Sequence, residues 1–231
     1  MYVAPRTRFD KEFKIDGKRN HLVLICKNNE GYRNLIKMVS LSFTEGFYIK
    51  PRIDKDLIKQ YHNGLICLSG CVSGEVAKLA LSNNIEAATE VAKFYHEIFK
   101  DDYYIELQEH GTEESKFVNS NLIKIAKAEN IKVVATNDVH YVYKEDIKMH
   151  KVMLCLQTNS TINAPNMEFG ADDLYIKSQE EMLESFKDIP EAVFNTKEVA
   201  DKCNISFEFN KTKLPNFTNN QNKTNEEYFL D

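Results

Sequence analysis

Tryptophan is absent from this 231-residue chain, and so is any surplus of basic residues: 30 Lys and Arg stand against 35 Asp and Glu, a formal net charge of −5. A chain of that balance is not by itself a nucleic-acid clamp, which needs a basic field. Contact with DNA would have to come from a local patch or from sequence elsewhere. Cysteine is sparse and odd in number. Cys26, Cys67, Cys71, Cys155 and Cys203 are scattered, which argues against a disulfide framework and for a reducing, cytoplasmic setting. The longest apolar runs are strand-sized, so neither a membrane span nor a secretory leader is expected. No solenoid repeat, Walker loop, G-x-G-x-x-G or G-x-S-x-G occurs. Those absences remove the motif-based case for nucleotide-loop enzymes, dinucleotide oxidoreductases and α/β-hydrolases.

What is present is a rhythm of strands and helices. His21–Cys26 (HLVLIC) reads as a strand, and Asn29–Phe43 carries Tyr32, Leu35, Ile36, Val39 and Phe43 at helical spacing. A loop closed by Pro51 leads to a short helix capped by Asp54, then to the strand Leu65–Leu68. The Gly-flanked turn SGCVSG places Cys71 just past that strand. Ile85–Phe99 is amphipathic, with Ala88, Val91, Ala92, Tyr95, Ile98 and Phe99 on one stripe. The strand YYIEL follows, then a helix capped by Thr112 with Val118, Leu122, Ile125 and Ala126 in line. Lys144–Leu156, Ser178–Phe186 and a segment with Pro190 in its first turn read as helices, and Ile205–Phe209 alternates like a strand. Alternating strand and helix predicts a parallel α/β sheet or barrel. Residues 211–231 are polar and asparagine-rich, the composition of a linker.

The most informative stretch is IKVVATNDVHY. Val133, Val134 and Ala135 make a buried strand, and Asp138 and His140 follow at a spacing of two. On extended chain that spacing presents carboxylate and imidazole on one face. At the C-terminal end of a barrel strand, this pair suits a divalent metal such as zinc or manganese. The same triplet also fits a strand end with a capping Asp and a half-buried His, and spacing alone does not separate the two. His21, Cys71, Glu106 and His110 gather near other strands. Each has a plain alternative: a loop hydrogen bond for His21, a small buried hydrophobe for Cys71, helix caps for Glu106 and His110.

The phrases HLVLICKNNEGYRNLIKMVSLSFTEGFYIKPRID, GLICLSGCVSGEV, YYIELQEHG, VVATNDVHY and LYIKSQEEM occur in order. Together they resemble the PHP domain of bacterial DNA polymerase III alpha subunits. IPEAVFNTKEVADKCN and KLPNF resemble the stretch leading from that domain toward the polymerase palm. The resemblance covers essentially the whole chain.

It implies a distorted (β/α)7 barrel with metals held by His, Asp, Glu and Cys. In some members such a site is a 3′–5′ exonuclease, and in others it is only a support. Four positions match the family's ligands: His21, Cys71, Asp138 and His140. The remaining ligands, an H-x-H pair, an Asp, a His and a Glu, fall before Met1 in the family pattern. The expectation is therefore a partial PHP barrel over 1–209 lacking its first strands, then a linker over 210–231 toward a palm that is absent. On this reading no residue here catalyses polymerisation, and the piece alone is inactive in it. Zinc or manganese belongs to the PHP site and magnesium to the absent palm. DNA, other replisome subunits, the missing strands and the palm are the implied partners. Two alternatives remain: a free-standing PHP phosphoesterase of the histidinol-phosphatase kind, and a non-catalytic structural module.

Overall fold

The computed structural model describes residues 1–166, 172–212, 214, 218 and 223–230. Gly170 of the loop before Leu174, and parts of the expected linker, lie outside them. In order, the elements are β1 (Tyr2–Val3), α1 (Phe13–Asp16), β2 (Asn20–His21), β3 (Val23–Cys26), α2 (Asn29–Thr44), α3 (Lys55–Tyr61), β4 (Leu65–Leu68), α4 (Glu75–Leu81) and α5 (Ile85–Phe99). Then come β5 (Tyr103–Gln108), α6 (Glu113–Ala128), β6 (Lys132–Thr136), α7 (Ile147–Gln157), α8 (Gln179–Ser185), α9 (Glu191–Asp201) and α10 (Asn225–Leu230).

The central sheet runs β3-β4-β5-β6, and a two-stranded β1-β2 ribbon stands beside it. β5 is parallel to both β4 and β6, as the strand–helix alternation requires. β3 departs from the all-parallel expectation and pairs antiparallel with β4. The reason is local. Lys27 N–H donates to Gly64 O at 2.8 Å, which clamps the end of β3 to the start of β4, so the two must run in opposite directions. The expected His21–Cys26 strand is in fact two. Buried Leu22 divides it, β2 pairing with β1 and β3 with β4. The result is a mixed α/β sheet, and no closed barrel forms among the described residues.

Residues alternate across β5 because successive side chains on a strand point to opposite faces. Tyr103, Ile105 and Leu107 enter the larger core with Val76, Ala80, Ala88, Ala92, Tyr95, Val118, Leu122 and Ile125 of α4, α5 and α6. On the other face Tyr104 meets Ile66, Leu68, Val134 and Val199 of α9. The stripes read from α5 and α6 are therefore the ones that pack. The stripe on α2 packs only through Leu35: Tyr32, Ile36, Val39 and Phe43 are exposed, while Gly31, Met38 and Ser42 face inward. Helical spacing identifies a stripe but not which side the core lies on. Ile205–Phe209 forms no strand. It is held to the start of α2 instead, through Asn29 Nδ2–H to Ser206 O (2.9 Å), Ser206 N–H to Asn29 Oδ1 (3.0 Å), and Phe207 edge-on to Tyr32.

α9 is pinned to the sheet by polar contacts. Tyr104 Oη donates to Glu198 Oε1 at 2.7 Å, and Lys132 Nζ lies 2.7 Å from Glu198 Oε2. The Lys132 hydrogen bond, seconded by Tyr104, holds the Glu198 carboxyl at about 2, below its ordinary 4.5. A carboxylate depressed in the folded state contributes stability above 4.5 and loses it as pH falls toward 2. With solvent screening, about 1 kcal/mol is expected from this group. Urea midpoints at pH 7 and pH 3 should differ less in Glu198→Gln than in the parent; an unchanged difference would refute the assignment.

Candidate metal centre

β2 presents His21 beside the turn that follows β4. His21 N–H donates to Ser73 O at 2.9 Å, and His21 bridges in parallel to Gly74. The approach is close enough to require glycine: at Gly70, whose φ is +85°, a Cβ would sit 2.9 Å from His21 O. Lys78 of α4 fastens the same strand through Arg19 O (2.7 Å) and Asn20 Oδ1 (3.0 Å). His21 Nδ1 and Cys71 Sγ are thereby brought to 3.6 Å from positions 50 residues apart, and Ser73 N–H points at the sulfur from 3.4 Å.

Burial lowers the His21 pKa below its ordinary value, with Lys78 adding to it, and burial raises that of the Cys71 thiol. Both shifts favour the neutral imidazole and the neutral thiol at this contact. A borderline-soft metal binding there would displace the thiol proton.

Asp138 follows β6 with a left-handed φ of 46°. Its neighbour Asn137 donates to Tyr175 O, and His140 N–H donates to Leu174 O at 2.8 Å, so the backbone at Leu174 and Tyr175 braces this turn. The Asp138 carboxylate bears electrostatically on both His21 and Cys71. His140 is exposed. Its Nδ1–H donates to Asp138 O at 2.6 Å, which leaves Nε2 with the lone pair, and its ring lies 5.6 Å from that of His150. Of the four residues singled out in the sequence, two are in contact, Asp138 is near them, and His140 turns toward His150. Among the described residues no three His, Cys, Asp or Glu side chains converge on one metal position.

Glu106 does not cap a helix, a role that falls to Thr112, whose side chain accepts from Ser115 N–H at 3.1 Å. It is instead a buried carboxyl on β5, 6% exposed. Its Oε1 accepts from Thr136 Oγ1 (2.6 Å) and Gln108 Nε2 (3.1 Å), while Oε2 is buried with no hydrogen-bond partner. Desolvation raises its pKa, and the Thr136 hydrogen bond opposes the shift. The sequence signal for it was weak, a single Glu inside an apolar strand. His110 lies apart, 3.1 Å from Asp173, with Lys177 on the other carboxylate oxygen.

The donors fit a divalent ion in kind: an imidazole, a thiol, a nearby carboxylate and a buried carboxylate oxygen lacking a partner. Comparison with known proteins bears on which chemistry they serve. Residues 1–110 match the model of the PHP domain. The DNA polymerase III subunit alpha of Chlamydia pneumoniae is 39% identical over 98% of this chain and 21% of its own length. The proteins of the same name from Borreliella burgdorferi and Treponema pallidum are 41% and 42% identical over 87% and 89% of this chain, and 18% of their own length. The chain thus spans about a fifth of the curated relatives it matches.

Proposed function

We propose, for a chain homologous over most of its length to the PHP-containing part of bacterial DNA polymerase III alpha subunits, that it serves the replicative polymerase as a metal-binding and phosphodiester-handling domain. Residues 1–209 form the domain, and 210–231 are the link toward the rest of the polymerase. Nucleotide addition, with its magnesium ions, belongs to the larger part of the relatives' length that this chain does not span. DNA and the other replisome subunits are the partners, and the cytoplasm is the compartment. No helix among the described residues is long and apolar enough to cross a membrane.

His21, Cys71, Asp138 and His140 are assigned to the metal. The observation that carries the assignment is the 3.6 Å contact between His21 and Cys71, built by two strand ends and a glycine turn. A bound divalent ion would supply Lewis-acid polarisation of a phosphodiester. The residues' own work is to hold and orient. The Ser73 N–H fixes the Cys71 sulfur, the Asp138 carbonyl orients the His140 ring, and the Leu174 and Tyr175 carbonyls hold the turn that carries Asp138 and His140. Thiol and imidazole donors favour zinc, and a carboxylate-rich set shifts the preference toward manganese.

Equilibrium dialysis against zinc tests this. The chain is expected to bind zinc weakly, and Cys71→Ser or Asp138→Asn should each lower affinity at least about tenfold, since losing even a supporting partner of a ligand costs that much. Zinc retained equally by Cys71→Ser would end the assignment.

A further inference from the structure

The connector 6–19, ahead of His21, has no part in the site described above. It carries six basic residues against three acidic ones, in a chain whose net charge is −5. Its carboxylates are already taken. Arg6 lies 2.5 Å from Asp16 and 3.3 Å from Glu12, and Asp10 accepts from Thr7 Oγ1 at 2.6 Å. Lys11, Lys14 and Lys18 are exposed and form no ion pair among the described residues. Interleaved with them are Phe9, 58% exposed, and Phe13, 74% exposed.

The backbone that carries these side chains is fixed from within. The buried Arg52 guanidinium donates to the carbonyls of Arg8, Asp10 and Asp16, so the connector wraps one side chain with its acceptors turned inward. Arg8 stacks its guanidinium 4.3 Å from the centre of the Phe9 ring, which leaves the other side of that ring to solvent. Aromatic rings held open beside unpaired ammonium groups suit a single strand of nucleic acid. Bases stack on the rings and phosphates meet the cations. A duplex keeps its base faces covered and gains only the second contact.

The positive field continues inward from the connector. Lys18 and Arg19 bear on Lys78 as like charges, and Lys78 and Arg19 bear in turn on His21, where Asp138 opposes them. The Lys78 ammonium is bonded to neutral oxygens, Arg19 O at 2.7 Å and Asn20 Oδ1 at 3.0 Å, which satisfy its donors without cancelling its charge. Glu75, on the same helix, is paired with Lys55 at 3.0 Å. Cations that repel one another favour an anion between them. An acidic protein surface or a bilayer can meet the exposed Phe and Lys residues. A flexible polyanionic strand can also follow the cations to the His21 corner.

We propose that the connector 6–19 is a binding surface for single-stranded nucleic acid: Phe9 and Phe13 stack on bases, Lys11, Lys14 and Lys18 hold phosphates, and Arg19 and Lys78 draw the strand toward His21. This rests on the reading above that the domain handles phosphodiesters, and not on a bound metal.

The test is fluorescence anisotropy of a labelled oligothymidylate titrated with the full chain, in EDTA and at low salt. The matching duplex, polyglutamate and phosphatidylserine vesicles are run in parallel. The oligothymidylate is expected to bind, and more tightly than the duplex. Phe9→Leu with Phe13→Leu keeps apolar bulk without the rings, and should weaken binding about fivefold or more, the low end for one lost stack. Lys11→Gln, Lys14→Gln and Lys18→Gln together should reduce the log–log salt slope by about 2, the loss of three phosphate contacts on a single strand. Thermal unfolding checks that each variant is folded, and either set decides by itself. If neither set changes oligothymidylate binding, the strand sits elsewhere and only this surface falls. If polyglutamate or vesicles bind as tightly as the oligothymidylate, the connector is a protein or lipid surface and the proposal is overturned. If the parent binds no oligothymidylate, the proposal falls outright, and zinc dialysis judges the metal reading separately.

Discussion

Replacing Arg52 with methionine is expected to destabilise this chain by about 4 kcal/mol, from the cost of leaving several buried acceptors unpaired. Arg52 is fully buried, at 0% exposure. Its guanidinium donates to four backbone carbonyls: Nε to Gly46 O (3.1 Å), Nη1 to Asp16 O (2.9 Å), and Nη2 to Arg8 O (3.1 Å) and Asp10 O (3.0 Å). Those carbonyls belong to the connector before β2 and to the turn after α2, so one side chain ties together backbone that has no ladder of its own. Methionine matches much of the volume and returns none of the donors. For a chain of this size the loss corresponds to a fall of roughly 10 °C in melting temperature. Lysine should rescue only a minor part, because a compact ammonium cannot span carbonyls arranged for a planar fork. Urea and thermal unfolding of Arg52→Met and Arg52→Lys check this. A loss under about 1 kcal/mol, the level of an ordinary surface substitution or a single hydrogen bond, would show that the carbonyls find other donors.

Gly31→Ala should cost about 3 kcal/mol, the scale of overpacking against a rigid neighbour. A Cβ at Gly31 would stand 1.8 Å from Gly64 O and 2.4 Å from Gly64 C. Backbone, not a flexible side chain, is in the way, so something must shift. The carbonyl it would displace is the one that accepts from Lys27 N–H and closes the β3–β4 corner. The corner is tight from both sides: Asn28 Oδ1 caps Gly31 N–H at 3.0 Å, and Gly64 itself has a φ of +73°. Gly111 is the control. Its φ is +71°, but an added Cβ would meet nothing within 4 Å. Gly111→Ala should therefore cost only the left-handed strain, about 1 kcal/mol. Equal losses at the two positions would mean that backbone conformation, and not the contact with Gly64, sets the penalty.

Much of the molecule was legible residue by residue. The stripes on α5 and α6, the caps Asp54 and Thr112, and strands β4, β5 and β6 all follow from periodicities and side-chain chemistry within a few residues of each other. Such signals are local and can be read without knowing what the rest of the chain does. The ordered phrases around Cys71 and Asp138 were also readable, and they gave the resemblance to the PHP domain, whose model residues 1–110 match.

Tertiary structure decided what depends on which distant backbone comes near. The spacing of Tyr32, Ile36, Val39 and Phe43 is helical, yet these residues are exposed, because the neighbouring face with Gly31, Met38 and Ser42 is the one pressed on Gly64 and the core. HLVLIC looks like one strand, but its two halves pair with different neighbours. The four carbonyls around Arg52 and the unpartnered oxygen of Glu106 leave no mark on sequence pattern. Main-chain groups are the same at every residue, and whether a side-chain oxygen finds a partner depends on packing. The sequence by itself determined most of the elements and the residue types at His21, Cys71, Asp138 and His140. Only the fold decided that His21 meets Cys71 while His140 turns to His150, because the side chain's direction is set by the turn that carries it and not by its place in the motif.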